Sequence, residues 1–118
     1  MDEDQWLEEQ RVEQWRRERD RALKFLTEEE YSSLRPQEEW LMNWMARWRP
    51  LECERLKANG TLLQWLEEQE DWIIQMEEEG YRTNNLGGAR ELIADRYLKN
   101  PEPDADRYWG LEEEDEED

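Results

Sequence analysis

The sequence predicts an all-α fold, and three observations carry that reading. Every hydrophobic repeat in the 118 residues recurs at steps of three to four, the period of a helix face. Capping residues, prolines and glycines fall between those repeats and punctuate them. Leu, Ile, Val and Phe total only 19 residues, yet eight Trp and four Tyr supply wide apolar rings that close a thin core between helices. The expected architecture is a small helical bundle of four to five helices in a single domain, residues 1–100, with a flexible, disordered acidic C-terminal tail, residues 101–118.

Taken in order, Val12, Trp15, Ala22, Leu23 and Leu26 mark one face of a first helix over about residues 4–26. Its other side carries the mixed charges of Arg16 to Arg21. Thr27 and Glu30 have capping-box spacing, with Leu26 and Tyr31 placed as a hydrophobic staple, so a short helix follows over 28–34. Pro36 opens the next helix, where its missing N–H costs nothing and Glu38 and Glu39 sit near the positive end of the dipole. Trp40, Leu41, Trp44, Met45 and Trp48 form a stripe along it. That stripe is either core packing or an aromatic anchor for a partner, flanked by Arg47 and Arg49. Pro50 interrupts the helix, residues 51–59 add two turns, and Gly60 serves as a left-handed cap.

Thr61 and Gln64 have the spacing of a second capping box. In the helix they open, Leu62, Trp65, Leu66, Trp72, Ile73 and Met76 make an apolar face that ends at Gly80. Asn84 or Asn85 then caps a last helix in which Leu86, Ala89, Leu92, Ile93 and Tyr97 face the core, and Pro101 and Pro103 stop it.

Charge is the strongest constraint on function. With 34 acids, 16 bases and no His, the net charge is −18, and such a surface repels nucleic acid, which gains affinity from Lys and Arg. The expected partner is a basic protein, one that itself binds nucleic acid. Residues 61–80 hold seven acids and no base, and residues 111–118 hold another seven acids and no base. On the helical face opposite the core lie Gln64, Glu67, Glu68, Asp71, Gln75 and Glu78. Carboxylates three and four apart on a helix sit about 5–6 Å from one another. Such a face is either simply solvated or presents negative charge to a partner. In the tail, Glu112, Glu113, Glu114 and Asp115 continue the acidity, and Tyr108 and Trp109 are candidate aromatic anchors among the acids. The plainer reading of that tail is a solubilising segment.

The chemistry of an enzyme is missing. There is no Ser–His or Cys–His pair, no glycine-rich phosphate loop and no loop with calcium-ligand spacing, so no catalytic, metal or cofactor residue is nominated. Cys53 is a lone cysteine, read as a small buried residue in a reducing compartment. No apolar run spans a bilayer and the N-terminus is not a targeting segment, which gives the expectation of a cytoplasmic protein without membrane contact, monomeric or homodimeric.

The stretch Arg49-Pro50-Leu51-Glu52-Cys53-Glu54-Arg55-Leu56-Lys57-Ala58-Asn59-Gly60-Thr61-Leu62-Leu63-Gln64-Trp65-Leu66 resembles TnpV-like proteins of transposons and related phage elements, and the likeness extends to Asn84-Asn85-Leu86 and Ala89-Arg90-Glu91-Leu92-Ile93. It covers residues 40–100, with Cys53 standing where an aromatic residue is expected. The resemblance implies a small helical protein of a mobile genetic element and brings no biochemical activity with it. Together with the charge, it raises the expectation of an acidic inhibitor that mimics a phosphate backbone in a basic host channel, as an anti-CRISPR or other anti-defence protein would. The alternative is a helical structural or regulatory module that dimerises or docks a partner through Trp40, Trp44 and Trp48.

Overall fold

A computed structural model describes residues 3–111, and within them the fold is all-helical. Seven helices follow one another: α1 (Glu3–Ala22), α2 (Glu28–Ser32), α3 (Pro36–Trp48), α4 (Pro50–Ala58), α5 (Leu62–Arg82), α6 (Leu86–Tyr97) and α7 (Ala105–Tyr108). The expected count of four to five is therefore too low. The breaks at Pro36 and Pro50 fall where the sequence puts them, each short piece standing as a helix of its own, and α7 forms in a segment read as tail.

The local signals explain most boundaries. The Thr27 box forms in full, with Glu30 N–H donating to Thr27 Oγ1 at 3.1 Å and Thr27 N–H to Glu30 Oε1 at 2.9 Å, and the staple residues Leu26 and Tyr31 are both buried. Gly60, at φ +71°, turns the end of α4 so that its N–H reaches Lys57 and that of Thr61 reaches Leu56. Thr61 does not cap α5. Its hydroxyl donates back to the Leu56 carbonyl at 3.4 Å, and Gln64 extends instead to Glu68.

Gly80 also departs from expectation, because α5 runs two residues beyond it. A Cβ there would lie 2.8 Å from the Ala89 Cβ and 3.0 Å from the Leu86 Cα, so this glycine lets α5 and α6 touch. Asn84 takes the left-handed turn at φ +56°, and Asn85 caps α6 by accepting the Gly88 N–H at 3.2 Å.

Leu41, Met42 and Met45 of α3, Cys53 of α4 and Leu66 of α5 fill the centre, joined by Ile93 and Tyr97 of α6. Leu92, expected among them, is 54% exposed. The first helix packs only by its end. Ala22 is buried, but every residue from Glu3 to Arg17 is exposed, including Val12 and Trp15. Val12 and Trp15, read as part of the core-facing side, therefore do not join the core, which α1 enters only near its C-terminal end.

Residues 101–111, which the sequence assigns to a flexible tail, fold back on the body. Glu102 donates its N–H to the Trp48 carbonyl at 2.8 Å, and its carboxylate accepts the N–H groups of Leu51 at 2.9 Å and Glu52 at 3.0 Å. Arg49 offers α4 no side-chain cap, so Glu102 supplies one from fifty residues away. Asp106 accepts from Arg47 at 2.6 Å, which pins α7 to α3.

Candidate functional site

The roll of α5 about its axis decides which of its side chains meet solvent. Leu62, Leu66 and Ile73 are buried against the core, and Trp65, Trp72 and Met76 pack partly against it, as the sequence predicts. Two polar residues share that side. Gln69 Oε1 accepts from the Tyr97 hydroxyl at 2.8 Å and from Arg96 at 3.2 Å, while the Arg96 guanidinium lies 4.4 Å from the centre of the Trp72 ring. Glu70 is 1% exposed and accepts from Arg35 Nη1 at 2.8 Å. These contacts hold the helix in one orientation from both sides.

Glu67, Glu68, Asp71 and Glu78 consequently all point outward and are exposed, with Gln64 before them and Gln75 among them. Among the described residues none of the four is within salt-bridge distance of a cation, and the ion pairs of α5 are those of Glu70 with Arg35 and Glu79 with Arg82. From Glu67 to Glu78 the face is about 16 Å long. Its carboxylates stand about 5 Å apart on average along the axis, against one charge per roughly 3.4 Å for a single nucleic-acid strand.

The two aromatic candidates are placed differently. Tyr108 and Trp109 are half-buried and turned into the body. The Tyr108 hydroxyl donates to Glu54, its ring stacks on Phe25 at 6.4 Å, and Lys24 Nζ sits 4.1 Å from its centre. Trp109 Nε1 donates to the Ala46 carbonyl at 2.9 Å. Burial and the adjacent Glu54 raise the pKa of Tyr108. These rings anchor α7 to its own chain. Glu112, Glu113, Glu114 and Asp115 lie outside the described residues.

The tryptophan stripe divides. Leu41 and Met45 are core, but Trp40 is 43% and Trp48 37% exposed, and they line an open groove between α1 and α3. On the other side of Trp40 a second groove of about 430 Å³ has Ile73 and Ile93 in its walls and Glu77 and Arg90 among its lining. Among the described residues no three Cys, Asp or Glu side chains converge to hold a metal ion, and no helix is long and apolar enough to cross a membrane.

The fold and this face together define a small all-helical protein that displays a row of unpaired carboxylates on one rigidly held helix. No family model, curated protein or solved structure matches the chain.

Proposed function

We propose that this protein is an acidic, non-enzymatic inhibitor that occupies the nucleic-acid channel of a basic protein. The observation that carries the proposal is the exposed row Glu67, Glu68, Asp71 and Glu78, which lies on a helix anchored through its opposite side. A fixed row of carboxylates meets a phosphate-binding groove without first losing the side-chain and backbone freedom that a loose acidic segment would lose. Its net charge of −18 draws a cationic partner from a distance, so association is fast and weakens as salt screens the field. The likeness of residues 40–100 to TnpV-like proteins supports a setting on a mobile genetic element in a bacterial cytoplasm, where an anti-CRISPR or other anti-defence role is one instance.

The test is affinity capture from bacterial lysate with the wild-type chain and with the variant E67Q/E68Q/D71N/E78Q, each at low and high salt. The proposal expects basic nucleic-acid-binding proteins to be enriched by wild type at low salt and lost with the variant. Capture that is equal for both chains, or unchanged by salt, contradicts it.

A further inference from the structure

The groove between α1 and α3, about 520 Å³, has a property that the acidic face of α5 does not use: its two ends carry opposite charge. At one end Arg21 of α1 and Arg47 of α3 converge. Burial and the neighbouring Arg47 lower the pKa of Arg21. Arg47 donates through Nη2 to Asp106 at 2.6 Å and lies 3.9 Å from the centre of the Trp48 ring. Its Nη1, like the Nε of Arg21, is buried with no acceptor. At the other end stands Glu39, eight residues before Arg47 and therefore about 12 Å away along α3. Its carboxylate accepts from the Tyr31 hydroxyl at 3.2 Å. Between the ends lie Trp44, half-buried, and Glu18, with the exposed Trp40 beside Glu39 and the exposed Trp48 beside Arg47.

A surface whose halves differ in this way is complementary to itself. A twofold axis through the groove at Trp44 brings the arginine end of one copy over the Glu39 end of the other, twice, and sets Trp40 against Trp48. We infer that this groove is the contact face of a homodimer, in which two α1–α3 pairs meet antiparallel as a four-helix layer. The guanidinium groups of Arg21 and Arg47, both lining the groove, then face the Glu39 carboxylate of the second copy. The exposed indoles lose their water, and burial of Trp and Arg is what dominates binding at such contacts. The two copies also repel each other overall through their −18 charges, and salt screens that long-range repulsion more than it screens the enclosed pairs. Dimerisation should therefore strengthen as salt rises, opposite in sign to capture of a basic partner by α5.

Sedimentation of the full chain tests this. Wild type is expected to show a monomer–dimer equilibrium whose dimer fraction grows with protein concentration and between about 10 and 150 mM salt. Trp40→Ser, at a position open to solvent, should weaken it roughly tenfold or more. Arg21→Glu alone and Glu39→Arg alone each place like charges together in both contacts and should be monomeric. An equimolar mixture of those two variants restores both contacts and should form the heterodimer, with circular dichroism showing that each variant is folded. A single 14.7 kDa species up to roughly 1 mM overturns the inference. So does a dimer indifferent to Trp40→Ser, or a mixture of the folded charge variants that stays monomeric.

Discussion

Glu70 and Arg35 join α5 to the start of α3 across the surface of the core: the carboxylate is buried, the guanidinium stands in solvent, and Oε1 and Nη1 are 2.8 Å apart. The second carboxylate oxygen of Glu70 is buried without a partner. Because a buried charge is costly unless compensated, the pair is held together by what breaking it would leave behind. Arg35→Ala should lower the melting temperature, and adding Glu70→Leu should recover the loss by removing the stranded charge. A double variant less stable than Arg35→Ala alone would contradict this account.

Gly80→Ala should destabilise the fold by about 1–3 kcal/mol, because the added methyl meets Ala89 and Leu86 at distances that force α5 and α6 apart. Helix propensity alone predicts the opposite sign, a gain of about 1 kcal/mol. Denaturant unfolding distinguishes the two. Ala89→Gly in the same chain should recover part of the loss, since the nearest contact is with its Cβ.

Glu102→Ala removes the acceptor for two N–H groups at the start of α4 and should cost about 0.5–2 kcal/mol in unfolding experiments, the range for loss of a helix cap. The same change should raise hydrogen-exchange rates at Leu51 and Glu52 above those in the rest of α4.

Cys53 is fully buried, and burial, reinforced by Glu102 and Glu52, pushes its pKa up to about 12. The neutral thiol is thus favoured in the folded state. Its contribution is complete below an unfolded pKa of about 8.5 and is lost progressively as pH rises toward the folded value. Native protein at pH 8 should resist thiol reagents, react only on unfolding, and lose stability above about pH 9. Rapid labelling of the folded chain would contradict the burial.

How legible the structure was in the sequence depends on whether a signal is local. The Thr27 box, Pro36, the Gly60 turn and the apolar side of α5 rest on neighbours within one or two turns, and each formed as read. Glu102 could not be foreseen as the cap of α4, nor Trp109 as a donor to Ala46, because those partners are 50 and 63 positions away. The segment looked like tail because its acids have no local use. Glu70 left a fainter trace: it follows Leu66 by four and precedes Ile73 by three, so it lies on the buried side, but only the position of Arg35 makes an acid there tolerable. For the candidate site, the outward row on α5 followed from the helical period, whereas the two-ended groove depends on how α1 crosses α3.

The central claim is that the carboxylates of α5, and not acidity in general, engage a basic nucleic-acid-binding protein. The most direct measurement is the affinity of a captured partner for three chains at several salt concentrations: wild type, E67Q/E68Q/D71N/E78Q, and the control E8Q/E9Q/E13Q/D20N, which removes the same four charges from α1. The account predicts a steep loss of affinity with salt for wild type and the control, displacement of both by duplex DNA, and weak, nearly salt-independent binding for the α5 variant. Equal weakening of the α5 variant and the control would contradict it.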